Sequence, residues 1–233
     1  MTTTPVAPTL DGTDLTRRLG YDRRLLDAVP PEAVESFTGV GNPLRVARLH
    51  PGERVLDLGS GSGTDLFAAA LCVGPTGRVV GRDVAPAQLA RAERLRTTHG
   101  FDNVELSDGP IESLPFADDS FDAVISNGVV HLSARKTDVF AEAARVLRPG
   151  GRMALSDIVI REYCPDAVGG GAGGWPGCVG GGARLDDYRT LMTDAGFEVL
   201  FARRNDYALV PGRAVEAASC WGIESVTILA SCC

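Results

Sequence analysis

The chain is poor in lysine and in long apolar runs, and both absences exclude classes of function. Lys136 is the single lysine, and it lies outside any motif of a Schiff-base enzyme or a phosphate-binding P-loop. No apolar run approaches the ~18 residues that a membrane-spanning helix needs. Residues 1–11 also lack the basic start and the apolar centre of a signal peptide. We therefore expect a cytoplasmic protein without a membrane partner.

The cysteines lack the C-x-x-C spacing that is typical of zinc and redox motifs. There are six, at positions 72, 164, 178, 220, 232 and 233. In a cytosolic chain they are expected to be free thiols. The chain is also acidic, with a net charge of −7 and a pI near 5.0, which argues against a nucleic-acid partner. A small-molecule substrate and a monomer or homodimer are the expectations that remain.

A glycine-rich turn follows a short apolar run at residues 54–63. Val55, Leu56 and Leu58 predict a buried strand, after which glycine stands at positions 59, 61 and 63. A ligand lies directly against the backbone of such a turn, because no Cβ is in the way. The dinucleotide pattern G-x-G-x-x-G fails here, because its third glycine would be Thr64. An NAD-type oxidoreductase is therefore disfavoured, although it stays open as an alternative.

The rest of the chain alternates predicted strands and helices. Strands are expected near residues 77–81, 104–107, 121–126, 153–156, 197–202 and 223–230, and helices near 65–72, 86–99, 137–147, 185–195 and 211–219. This rhythm predicts an α/β fold with a parallel sheet and helices on both faces. Residues 1–50 form a helical segment that serves as a lid or as a strut, and residues 51–160 form the core. Residues 161–233 complete the same domain and include a glycine-rich loop at 168–183.

A carboxylate closes the second predicted strand. Asp83 follows Gly63 by 20 residues, the offset at which an acid accepts hydrogen bonds from the two hydroxyls of an adenosine ribose. A solvated turn residue is the alternative for a lone acid at this place. Because Asp83 stands at the expected distance from the glycine turn, the ribose role is favoured.

Four motifs in order resemble those of class I methyltransferases that use S-adenosylmethionine (SAM). They are Asp57-x-Gly-x-Gly-x-Gly63, the segments 108–115 and 121–127, and the turn Arg148-Pro-Gly-Gly151. The resemblance implies a Rossmann-like, seven-stranded, mostly parallel sheet with SAM as cofactor. The SAM-binding residues that it implies are Asp57, Gly59, Ser60, Gly61, Gly63, Asp83, Val84, Gln88, Gly109, Ile111, Glu112, Ser126 and Asn127. Pro110 stands where many members of the family carry an acid.

A narrower resemblance points to arsenite methyltransferases. The segments that carry it are 39–43, 55–63, 73–77, 124–127, 156–158 and 175–182. In that family thiolates hold trivalent arsenic, a soft centre, and Cys178 occupies one of the family's cysteine positions. Two further cysteine positions of the family are Val40 and Gly128 here. Cys164, Cys232 and Cys233 are either replacement arsenic ligands or incidental thiols.

His131 is the second candidate for a catalytic residue beside Cys178. The segment 128–132 resembles the histidine-containing version found in many small-molecule methyltransferases. An imidazole there acts as a base or as a structural hydrogen-bonding group. The sequence therefore predicts a SAM-dependent methyltransferase of a small molecule, with arsenite or methylarsenite as one acceptor. The alternatives are O-, N- or C-methylation of a secondary metabolite or a quinone-like acceptor, and SAM binding without catalysis.

Overall fold

The computed structural model describes residues 11–161, 183–205 and 222–233. Its helices are α1 (Gly12–Arg18), α2 (Arg23–Leu26), α3 (Pro31–Glu35), α4 (Leu44–Ala47), α5 (Thr64–Val73), α6 (Pro86–His99), α7 (Lys136–Val146) and α8 (Leu185–Asp194). Its strands are β1 (Arg54–Leu58), β2 (Arg78–Asp83), β3 (Val104–Asp108), β4 (Phe121–Asn127), β5 (Leu147–Val159), β6 (Phe197–Arg204) and β7 (Glu224–Cys232). The predicted helix at 211–219 and nearly all of the glycine-rich loop lie outside the described residues.

The seven strands form one sheet in the order β3-β2-β1-β4-β5-β7-β6. Strands β1 to β5 run parallel, and β7 pairs antiparallel with both β5 and β6. The seven-stranded, mostly parallel α/β fold that the resemblance implied is thus confirmed. The strand order reverses between β1 and β4, and the carboxyl ends of strands at such a switch point form a crevice where ligands bind.

Apolar side chains cover the sheet on both faces. Alternate residues of a strand point to opposite faces, so Leu56 of β1 packs with α7 and α8, whereas Val55 packs with α5 and α6. Phe140 of α7 contacts Tyr188 of α8 edge to face at 5.8 Å between ring centroids. The predicted arrangement of helices on both faces follows from these two clusters.

One predicted turn is wrong in detail. Residues 148–151 were expected to separate α7 from the fifth strand, yet β5 begins at Leu147 and continues through them. Leu147 pairs with Phe121, whereas Arg152 pairs with Ala123. The four residues between these pairs therefore form a bulge, and Gly150 takes a positive φ of 72° within it.

The short helices α1 to α4 precede β1 in the chain. In the part of the chain that the structure describes, no helix combines the length and the apolar character needed to cross a membrane.

Candidate active site

The glycine turn lies between the carboxyl end of β1 and the start of α5. Gly59, Gly61 and Gly63 take positive φ values of 74°, 53° and 103°, a conformation that other residues adopt at a cost. A Cβ at Gly59 would collide with the side chain of Val129, whereas the space beside Gly61 is open to 4 Å. Gly61 thus leaves room for a ligand, while Gly59 permits close packing against the segment after β4.

Two polar atoms at this turn have no partner within the described residues. Asp57 is 2% exposed and its Oδ2 accepts no hydrogen bond, and the Oγ of buried Ser60 has none either. Buried polar groups are nearly always paired, so both atoms indicate a ligand. Burial raises the pKa of Asp57 well above its ordinary value, and the charges of Asp65 and Asp83 raise it further. A cationic group bound here would stabilise the charged carboxylate.

The glycine turn lines a cavity, and a network of buried hydrogen bonds lies beside it at Asp65 and Asn127. Asp65 of α5 accepts hydrogen bonds from the hydroxyl of Tyr21 at 2.6 Å and from the side-chain amide of Asn127 at 2.9 Å. Burial raises the pKa of Asp65 to about 6, although both hydrogen bonds act in the opposite direction. The Asn127 oxygen in turn accepts from the backbone N–H groups of Val40 and Gly41, at 2.8 and 3.2 Å. Asn127 therefore joins the N-terminal segment to the sheet.

Asp83 lies beside the glycine turn at the carboxyl end of β2. Its Oδ2 accepts from the Gly61 N–H at 2.8 Å, and its Oδ1 accepts from the Ala85 N–H at 2.8 Å. Gln88 accepts from the Ser62 hydroxyl at 2.5 Å. The two backbone donors fix the carboxylate, while each oxygen keeps a further lone pair for another donor.

The loop after β3 lies beside Asp83, whose carbonyl accepts from the Gly109 N–H at 2.9 Å, and its residues are not among those that line the cavity. Gly109 takes a φ of 135°, Ile111 is buried, and Glu112 accepts from the hydroxyl of Ser133 at 2.5 Å. Because Glu112 is held by Ser133, it positions the loop against the segment before α7.

The structure brings six of the thirteen predicted SAM-binding residues together in the lining of one cavity. The cavity is lined by Asp57, Gly59, Ser60, Gly61, Gln88 and Asn127 among them. Asp83 lies at its edge through the contact with Gly61, and Val84 beside it is 61% exposed. Ser126 differs from the prediction, because it is 1% exposed and its hydroxyl donates to the Leu58 carbonyl at 3.0 Å inside the sheet. Gly63 likewise is not a lining residue but is the N-cap of α5.

Two residues of the cavity were not predicted from the sequence: Asp65, which lines it, and Tyr21, which donates a hydrogen bond to Asp65. Asp65 lines the cavity, and Tyr21 reaches it across 44 positions of the chain. A buried acid one residue after the helix start was the available signal for Asp65. Tyr21 carried none, because no local pattern relates it to the glycine turn.

Val40 and Gly128 lie next to each other beside this cavity. A Cβ at Gly128 would be 3.5 Å from Cγ1 of Val40, and Gly128 takes a φ of 73°. The two positions at which the resemblance implies cysteine are therefore adjacent in space, although they are 88 residues apart in the sequence. In this chain an isopropyl group and a hydrogen stand there.

His131 is held by a buried carboxylate. Its Nδ1 lies 2.5 Å from Asp157 Oδ1, and its backbone N–H donates to Oδ2 at 2.8 Å. Asp157 is fully buried and also accepts from the hydroxyl of Tyr188 at 2.9 Å. This arrangement fixes the orientation of the imidazole near the carboxyl ends of β4 and β5.

The candidate arsenic ligands are not brought together by the described residues. Cys164 and Cys178 lie outside them. Cys232 and Cys233 lie at the opposite end of the sheet, since Ser231 pairs with Arg152 whereas Asn127 pairs with Ser156. Cys232 is five residues along β7 from the partner of Ser156, about 17 Å at ~3.4 Å per residue. The terminal pair therefore does not supply thiolates to the cavity in this structure.

Comparison with known proteins agrees with the geometry. Residues 49–196 match the family described as a methyltransferase domain. An arsenite methyltransferase of Halobacterium salinarum is 44% identical over 183 residues, which are 78% of this chain and 46% of that protein. One from Aquipseudomonas alcaligenes is 39% identical over 180 residues, with coverage of 74% and 51%.

A solved structure is similar over a larger share. It is an arsenic(III) S-adenosylmethionine methyltransferase from Chlamydomonas reinhardtii, 34% identical, with a TM-score of 0.72 over 90% of this chain and 72% of that one. This chain spans about half the length of the two curated relatives above. The match over residues 49–196, together with the glycine turn and Asp83, establishes that the chain belongs to the methyltransferase domain family and has the class I SAM-dependent fold.

Proposed function

We propose that the protein is a SAM-dependent methyltransferase whose acceptor is trivalent arsenic, as arsenite or methylarsenite. The observation that carries the donor half of this proposal is the unpaired, buried Oδ2 of Asp57 beside the open space at Gly61. The similarity to arsenite methyltransferases supports the acceptor half. Reaction in the cytoplasm, by a monomer or a homodimer, belongs to the same proposal.

The donor side comprises the turn 59–63, Asp57, Asp83 and the loop 107–113. SAM, when bound, supplies an electrophilic methyl group on a sulfonium centre. Its cationic amino-acid end matches the acid-rich cavity, where Asp57 and Asp65 lie. Asp83 is fixed by two backbone N–H groups for binding the ribose hydroxyls. The loop 107–113 lies next to Asp83, where the adenine would pack.

The acceptor side comprises Val40, Gly128, and the network of His131, Asp157 and Tyr188. Methyl transfer needs an electron-rich atom in line with the methyl group at about 3 Å and a cavity that excludes water. The lone pair of trivalent arsenic meets this need without a proton transfer. The protein must therefore align the arsenic, and Cys178 is the proposed thiolate ligand because thiolates suit soft centres.

The main alternative is methylation at oxygen, nitrogen or carbon, for which His131 would act as the base. The close contact between His131 Nδ1 and Asp157 is compatible with such a role. The same contact equally suits an imidazole that only ties β4 to β5. The arsenite methyltransferases among the relatives favour the arsenic acceptor.

The proposal is tested with methyl-labelled SAM, glutathione and arsenite. We expect label in an arsenical product, and we expect Cys178→Ser to lower the rate at least about tenfold through loss of a soft ligand. Cys233→Ser is the matched control, because that thiol lies at the far end of the sheet. Label in no arsenical, or no binding of S-adenosylhomocysteine in calorimetry, would overturn the proposal. A rate lost in His131→Ala but retained in Cys178→Ser would instead support base catalysis.

A further inference from the structure

Arg82 is a buried cation in the middle of the donor side. It is 5% exposed, on β2 directly before Asp83. Among the described residues, no carboxylate lies within ion-pair distance of its guanidinium. Burying a charge without a counter-charge is costly unless hydrogen bonds satisfy it. The groups that accept hydrogen bonds from the Arg82 guanidinium therefore show which part of the chain this side chain stabilises.

All hydrogen bonds of the Arg82 side chain go to one loop. Its Nε donates to the Pro110 carbonyl at 3.3 Å and its Nη2 to the Ser113 carbonyl at 3.0 Å. Its Nη1 donates to the Ser107 hydroxyl at 2.7 Å and to the Asp108 carbonyl. The planar guanidinium thus uses its fork of donors to fix the loop 107–113 at four points.

The loop is wrapped tightly around the guanidinium. A Cβ at Gly109 would collide with the Arg82 side chain, and Gly109 takes a φ of 135°. Glycine is therefore required at position 109 both by its backbone conformation and by the approach of Arg82. A side chain shorter than arginine at position 82 would leave three backbone carbonyls without these donors.

The backbone of the same residue holds the glycine turn. The Arg82 carbonyl accepts from the N–H groups of Gly59 and Ser60 at 2.7 and 3.2 Å. Arg82 thus contacts the turn through its backbone and the loop 107–113 through its side chain. Asp83, between these two contacts, is positioned by both.

We propose that Arg82 is a positioning residue that shapes the adenine subsite of this chain. The inference rests on the proposed use of SAM. Pro110 gives this chain no side-chain acid with which to contact the exocyclic amino group of adenine. Recognition of the base then depends on the backbone of the loop 107–113, and Arg82 fixes that backbone by engaging its carbonyls. Under this proposal, a backbone N–H group of the same loop donates to a ring nitrogen of the base.

Calorimetry with two ligands tests this role. S-adenosylhomocysteine and its hypoxanthine counterpart, S-inosylhomocysteine, differ only at the edge of the base. We expect the unmodified protein to prefer the adenine ligand and Arg82→Met to bind it about tenfold less tightly, with a smaller preference for adenine over hypoxanthine. Arg82→Lys keeps the charge and three donors, so we expect an intermediate preference.

The matched control is Arg78→Met on the same strand. Arg78 is exposed and pairs with Glu105, so neither affinity is expected to change. A merely structural role of Arg82 would lower thermal stability but leave the ratio of the two affinities unaltered. A folded Arg82→Met with an unaltered ratio overturns the inference, and if that variant does not fold, an unaltered ratio in Arg82→Lys does so. Absence of binding by the unmodified protein would overturn the SAM proposal itself.

Discussion

The donor side is built largely from backbone, whereas the acceptor side is built from side chains of distant segments. On the donor side, positive φ angles at three glycines and N–H groups at Gly61 and Ala85 form the surface. On the acceptor side, Val40 meets Gly128, and His131 meets Asp157. A backbone surface tolerates few substitutions, while a side-chain surface changes with single residues. In this chain the motifs of the donor side resemble those of the family, whereas Val40 and Gly128 stand where the resemblance implies cysteine.

The largest expected effect is on the donor side. Asp83→Ala removes two charge-assisted acceptors for the ribose hydroxyls, so we expect binding of S-adenosylhomocysteine to weaken by about 4 kcal/mol, roughly 1000-fold. Calorimetry measures this change. Glu105→Ala is the matched control, since Glu105 is an exposed acid on β3 outside the loop 107–113. Equal losses in the two variants would contradict the assignment of Asp83.

The second-largest expected effect is on the free energy of unfolding and concerns Asp65. This residue lines the donor cavity and accepts hydrogen bonds from Tyr21 and Asn127. Its pKa is raised to about 6 in the folded protein, so the folded state retains a proton that the unfolded chain releases near pH 3.9. The free energy of unfolding should therefore fall as pH rises from about 4 to 6, by about 3 kcal/mol from this group. Urea unfolding at pH 4 and pH 7 measures the slope.

Asp65→Asn should remove this part of the pH dependence. A residual slope of the same sign is expected, because the pKa of Asp57 is also raised by burial. The exposed Asp27→Asn is the control and should leave the slope unchanged. An unaltered slope in Asp65→Asn would show that Asp65 does not carry the raised pKa.

The smallest expected effect is a gain in affinity for arsenite on the acceptor side. The double substitution Val40→Cys and Gly128→Cys places two thiols next to each other, at a cost of about 1 kcal/mol for the positive φ at position 128. We expect arsenite to bind about tenfold more tightly under reducing conditions, because soft ligands are added. Measurement of protein-bound arsenic after gel filtration tests this. The control carries serine at both positions, and tighter binding in that control would refute a thiolate effect.

The glycine turn and Asp83 could be predicted because they act through local backbone geometry. Glycine at alternate positions after an apolar strand has a meaning that survives without tertiary information. Tyr21 and Arg82 could not be predicted, since their partners are 44 and up to 31 residues away. The adjacency of Val40 and Gly128 depends on the hydrogen bonds from Val40 and Gly41 to Asn127, which are long-range contacts. The buried position of Ser126 could not be predicted either, because its hydroxyl donates to the carbonyl of Leu58, 68 residues away in the chain.

The place of β7 in the sheet has a consequence for folding order. Strand β7 is last along the chain, yet it lies between β5 and β6. Strand β6 therefore has no hydrogen-bonded neighbour until residues 224–232 have been added. Until then both edges of β6 and one edge of β5 are unpaired, and unpaired edges are surfaces on which partly folded chains aggregate. Insertion of β7 covers the edge of β5 and one edge of β6, whereas the outer edge of β6, with the exposed Leu200 and Phe201, stays unpaired in the described sheet.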